Sequence, residues 1–145
     1  MIVPSKTASQ SIQGTLTQIV IQTYHDRDLV LISQLNGKIG QILDLVPSAS
    51  LLPNITAEGL LPPPDTYAEL KTLLGTARGE EEAILHNLYA SQVSSLLAHQ
   101  DNLRSQGHRK RIVLGLGLKQ IDEPREAERF RCIARMIQDL LGRSS

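Results

Sequence analysis

The sequence predicts an α+β fold: an antiparallel β-sheet of five to six strands with two main α-helices packed on one face. Three observations predict it. Runs rich in Thr, Ile, Val and Leu, separated by turn residues, fill positions 16–46, the pattern of neighbouring strands. Two later stretches, 80–100 and 122–141, carry apolar residues at helical spacing. Between them lies a strand-length apolar run, Arg111 to Leu118.

The elements follow in order. Met1 to Gln13 is mostly polar and is expected to be a flexible tail, leaving a single α+β domain over 14–142. Leu16 to Tyr24 is a predicted strand, and His25-Asp26-Arg27-Asp28 a polar turn. Leu29 to Gln34 is a second strand. Asn36-Gly37 is the dipeptide that best tolerates the positive φ values of a two-residue hairpin, so Lys38 to Val46 should return beside it as a third strand. These three strands are expected to form an antiparallel meander. Residues 46–66 hold five prolines and are expected to be a long irregular loop, because proline has no backbone donor. Tyr67 to Leu74 fits strand and helix equally on pattern alone.

Glu80 to Gln100 is a predicted helix whose first turn, Glu80-Glu81-Glu82, suits the helix dipole. Its expected core stripe is Ile84, Leu88, Val93 and Leu96-Leu97. Residues 101–110 are expected to be a basic loop. After the strand at 111–118, Asp122 can cap a final helix with Pro124 in its first turn. That helix places Ala127, Phe130, Ile133-Ala134, Ile137 and Leu140-Leu141 on one face.

Composition bounds the function. Fifteen basic and fifteen acidic residues give a net charge of zero, and there is one Phe and no Trp. A nucleic-acid binder needs a basic excess or aromatic stacking platforms, and neither is present. One cysteine forms no internal disulfide, which fits a reducing compartment. Nothing resembles a signal peptide or a membrane span, so a cytoplasmic, or nuclear, protein is expected.

Two strands, 29–34 and 112–118, do not alternate apolar with polar. A strand with one wet face should alternate, so both are expected to be covered on both sides. Two helices cover only one face of such a sheet. Either the Pro-rich loop and the small side of Gly115 and Gly117 deal with the other face, or a second chain covers it. Val30, Ile32 and Val113, with Ile42, are assigned to that partner face, and Leu31, Ile112, Leu114 and Leu116 to the helix side. The basic run around Arg109 and Lys110 is a candidate contact for an acidic partner surface.

No constellation points to catalysis. His25, His86, His99 and His108 have no metal-pair spacing and read as solvated. Cys132 reads as a small core or boundary residue. Gly115-x-Gly117 lies inside a strand, whereas a phosphate loop needs its glycines in the strand-to-helix turn. No enzyme activity, metal or cofactor is therefore expected.

The order of blocks carries a resemblance. Thr17-Gln18-Ile19-Val20 is followed by an apolar strand, by Gln34 with Gly37-Lys38-Ile39-Gly40, and by Leu73-Leu74-Gly75 before a helix. Arg111-Ile112-Val113-Leu114 then runs on to Lys119 and a last amphipathic helix. This resembles the proteasome assembly chaperone 3 family over roughly Leu16 to Leu141, and the long loops at 47–65 and 101–110 resemble its fungal-type members. The resemblance implies that Tyr67 to Leu74 is a strand. It also implies pairing with a related small proteasome assembly chaperone, or with itself. The pair would bind proteasome α subunits, promote α-ring formation of the 20S core particle, and leave before maturation. A roadblock- or longin-like dimeric scaffold for small GTPase or membrane-trafficking complexes is the alternative, although three early strands with no preceding helix depart from the roadblock order.

Overall fold

The computed structural model of the chain describes residues 5–34, 39–47, 68–105, 110–119, 121 and 123–142. Its elements are β1 (Ser5–Ile12), β2 (Thr15–Thr23), β3 (Arg27–Ser33), β4 (Gln41–Val46), β5 (Glu69–Leu74), α1 (Glu80–Ser105), β6 (Arg111–Gly117) and α2 (Glu123–Gly142). The six strands form one sheet in the order β1-β2-β3-β6-β4-β5.

The α+β class and the strand count agree with the sequence, but the sheet is mixed. β3 and β6 run parallel, with Val30 opposite Leu114 and Ile32 opposite Leu116. All other pairs are antiparallel. The two non-alternating strands thus lie side by side in the middle of the sheet, where apolar composition is most readily accommodated. The meander expected over β2, β3 and β4 is corrected: β6 inserts between β3 and β4. Gln34 N donates to Gly117 O at 2.7 Å and Gly40 N to Leu116 O at 2.8 Å, so the residue after β3 and the residue before β4 both bond to the end of β6. Asn36-Gly37 lies outside the described residues.

The expected N-terminal tail is also corrected, because 5–12 is an edge strand paired along its whole length with β2. Gln13 (φ 52°) and Gly14 (φ 80°) both adopt the left-handed conformation, as a two-residue type I′ hairpin turn requires. Ile12 is buried and Ala8 packs against the core. The strand reads as a tail because most of its residues are exposed and polar, as befits an edge. Gln13 Nε2 donates to Arg125 O at 2.9 Å, tying this hairpin to α2.

β5 confirms the strand implied for Tyr67 to Leu74, over Glu69–Leu74. Gly75 follows at φ +79°, and a Cβ there would lie 2.1 Å from the carbonyl oxygen of Gly40. Only glycine lets these two backbones meet. Helix α1 starts on Gly79. Glu82 accepts from Arg78 N at 3.1 Å and Arg78 Nε at 3.0 Å, which ties the residue before the N-cap to the first turn. The helix continues to Ser105, so 101–105 is helical rather than part of the expected basic loop; 106–109 and the predicted cap Asp122 lie outside the described residues.

The core forms where the helices meet one face of the sheet. Ile19, Ile21, Val30, Ile32, Leu43, Leu45, Ile112, Leu114 and Leu116 point into it from the strands. Tyr89, Ala90, Val93, Leu96 and Leu97 of α1, and Ile133, Ala134, Ile137, Leu140 and Leu141 of α2, close it. The predicted α2 stripe is met except at exposed Ala127. The predicted α1 stripe is corrected at its start: Ile84 and Leu88 are 60% and 48% exposed, and the buried line runs through His86, Tyr89, Ala90, Val93 and Leu97.

Candidate protein-interaction surfaces

The sheet face away from the helices carries Val20, Leu29, Leu31, Ile42, Asp44 and Val113, all half-buried. Register places them together: Val20 faces Leu31, Leu29 faces Val113, and Asp44 faces Val113. Gly115 lies among them. A Cβ there would meet Leu31 Cδ2 at 2.7 Å and Ile39 Cγ2 at 3.2 Å. The glycine therefore makes room for two apolar side chains that fold over β6. The result is an apolar surface on the sheet. Arg111 Nε pairs with Asp44 Oδ2 at 3.4 Å at its margin, while Asp44 Oδ1 is buried without a partner.

Of the residues assigned to a partner face, Val113 and Ile42 lie on this surface. Val30 and Ile32 do not. Both are fully buried beneath the helices, alongside Leu114 and Leu116. Leu31 correspondingly belongs to the open face, while Ile112, Leu114 and Leu116 do face the helices. The parallel pairing of β3 with β6 aligns even residues with even, and the apolar pattern of the two strands does not by itself set this phase. Arg109 lies outside the described residues. Lys110 is engaged within the chain: Nζ donates to Tyr24 O at 2.6 Å and lies 3.6 Å from Asp28 Oδ1.

A second surface is a groove of about 810 Å³ between the first halves of α1 and α2. Ile84 and Leu88 form one wall, and Leu118 and Phe130 contribute apolar floor. Tyr89 packs on Phe130 with ring centroids 4.9 Å apart.

Beneath the groove runs a polar network that no motif announced. Arg129 is almost fully buried. Its Nη1 donates to Gln34 Oε1 at 2.8 Å and Lys119 O at 2.6 Å, and its Nη2 to Glu126 Oε2. Glu126 Oε1 accepts from Tyr89 OH at 2.9 Å, and Gln34 Nε2 donates to Thr17 Oγ1 at 2.9 Å. Burial, helped by the Glu126 carboxylate, holds the Tyr89 phenol far above its ordinary pKa, so it remains a donor. One signal was available in the sequence: Arg129 lies one turn before Ile133 on the apolar stripe of α2, where a charge calls for a buried partner.

His86 is likewise buried, which corrects its reading as solvated. Its ring Nδ1 bonds to Gln41 Oε1, and Nε2 lies 3.9 Å from Glu82. Burial lowers its pKa, Glu82 opposes this, and Arg78 and Arg129 add to the lowering. An unfolded chain therefore takes up a proton near the ordinary value of 6.5 before the folded one does. Stability should be intact above that pH and fall as pH drops below it, towards the depressed folded pKa. In urea titrations across this window, His86→Gln is expected to flatten the acid-side loss; an unchanged pH slope would show that another group carries it. Cys132 is half-buried against the core, as expected of a boundary residue. Among the described residues, no three His, Cys, Asp or Glu side chains cluster as a metal site, and no helix is long and apolar enough to cross a membrane.

No family model matches the sequence, and no curated protein matches it. The fold, however, is similar to that of a chain in the crystal structure of a novel chaperone complex for yeast 20S proteasome assembly. The TM-score is 0.50 at 14% identity, over 94% of this chain and 99% of that one. The likeness is one of fold, and it extends over nearly the whole of both chains.

Proposed function

We propose that this chain is a 20S proteasome assembly chaperone that works through protein contacts alone. It pairs with a related small chaperone over the open sheet face, and the pair binds proteasome α subunits to promote α-ring formation. The observation that carries this reading is the end-to-end correspondence of fold with a protein of a yeast 20S assembly complex. The block order of the sequence supports it independently. The open face supplies a mechanism. Val20, Leu29, Leu31, Ile42 and Val113 offer a shallow apolar surface, and sheets pack face to face across such surfaces at about 10 Å. Half-buried side chains can release a partner without leaving a large apolar face in water, which suits a factor that must leave its product.

Affinity purification of the full chain from its own cells, in a precursor-enriched fraction, tests this. Proteasome α subunits and one small companion chaperone should be recovered without mature catalytic β subunits. Recovery of small GTPases or vesicle proteins in their place would move the chain to the roadblock or longin class.

A further inference from the structure

The outer edge of β5 is exposed and lies apart from the open face. Among the described residues β5 ends the sheet and pairs with β4 alone. All six of its residues are exposed, including Leu70, Leu73 and Leu74 at 36%, 51% and 66%. Along its outer side the backbone presents donors and acceptors with no strand partner among the described residues. An edge of this kind is a template for another strand unless it is blunted.

The charges on β5 select the occupant. Glu69 and Lys71 are two residues apart, so they share a face, the open one, because Lys71 is in register with Asp44 and Glu69 with Val46. The geometry points to a second copy of this chain, joined antiparallel through β5 about a two-fold axis at Leu70. In that register Glu69 lies opposite Lys71 of the second copy, and Lys71 opposite its Glu69. Leu70 meets Leu70 on the other side. Centring the pair on any other residue sets neither charge opposite its complement. The pairing also extends a row of alternating charge already in the sheet: Arg111, then Asp44 at 3.4 Å, then Lys71 in register on the next strand, then Glu69 of the second copy. With a net charge of zero, two copies approach without overall repulsion. The product is a sheet continuous through both molecules, with its open face doubled in length.

Sedimentation velocity of the purified full chain over a concentration series tests this, with circular dichroism to confirm folding. The wild-type chain should form a dimer. Glu69→Lys and Lys71→Glu each set like charges opposite one another twice, and each should weaken the dimer on the order of tenfold or more. The double variant Glu69→Lys/Lys71→Glu restores both pairs and should restore the dimer. A wild-type chain that stays monomeric at every concentration would overturn the assignment, as would single reversals without effect or a double variant no better than the singles. A dimer that ignores the reversals and dissociates on Val113→Glu would place the second copy on the open face instead. None of these readouts depends on binding α subunits, so the edge assignment and the chaperone role can fail separately.

Discussion

Val30→Glu and Ile32→Glu are expected to abolish folding, whereas Val113→Glu should give a folded protein that has lost the partner proposed for the open face. Val30 and Ile32 are fully buried, lie in register with Leu114 and Leu116, and sit beneath the helices. The nearest strand neighbours across β2, Ile21 and Ile19, are apolar and buried as well. A carboxylate there has no partner and must be protonated or dragged to water. Raising a buried glutamate by a few pKa units, and losing the apolar burial, costs on the order of 5 kcal/mol. That is comparable with the whole stability of an ordinary domain, about 5–15 kcal/mol. Val113 is different. It is half-buried on the open face, so a glutamate can keep its head in water, and Arg111 lies two residues away on the same face. A loss of about 1 kcal/mol is expected. Circular dichroism and urea unfolding should separate the two classes, and affinity purification should then show Val113→Glu without its companion chaperone. A folded Val30→Glu with an unfolded Val113→Glu would mean that the two faces are exchanged.

These outcomes differ because of a phase that sequence pattern does not carry. The apolar character of β3 and β6 is plain in LVLIS and IVLGLG, and it places both strands in the interior of the sheet. When every residue of a strand is apolar, however, parity no longer marks the covered side. What marks it is Gly115, whose missing side chain lets Leu31 and Ile39 lie across it, so that Leu31 must be on the open face. The sheet order was equally hidden. Asn36-Gly37 favours a hairpin locally, yet insertion of β6 between β3 and β4 buries an apolar strand in the middle of the sheet, and tertiary burial outweighs a turn preference. β1 was missed for the opposite reason, since an edge strand is polar by design and reads as a tail. Both helices were legible in place, and α2 in rotation as well, but α1 was not. Ile84 and Leu88 look like core on spacing, but the buried line is set by Tyr89, Ala90 and His86, whose polar atoms find partners that only the folded chain supplies. The candidate surface was legible as a need for cover and, at Val113 and Ile42, as residues.

Arg129→Met should be the most damaging substitution on α2, with a loss of about 3–5 kcal/mol. Methionine fills much of the volume, so packing is not the main issue. The damage lies in what remains. Glu126 keeps a carboxylate with only 16% of its side chain exposed, and its remaining hydrogen bond, from the neutral Tyr89 hydroxyl, leaves the charge uncompensated. Gln34 Oε1 retains only a 3.3 Å contact from Lys119 N, and the Lys119 carbonyl loses its donor. The network joins β2 through Thr17, the residue after β3 through Gln34, the second residue after β6 through Lys119, and both helices through Tyr89 and Glu126, so its loss loosens every element at that end of the sheet. Lysine should not rescue it, since one ammonium cannot reach three acceptors spread around a planar guanidinium. The double variant Arg129→Met/Glu126→Gln removes the stranded charge and should recover part of the loss, which gives a positive coupling between the two sites. Urea midpoints at unchanged m-value measure both quantities. If Arg129→Met lowers stability by less than about 1 kcal/mol, within the range of an ordinary surface change, the buried guanidinium is not what holds the two helices to the end of the sheet. Because the network lies on the helix side, it should affect partner binding only through stability, and at equal folded fraction Arg129→Met should bind the companion chaperone as the wild type does.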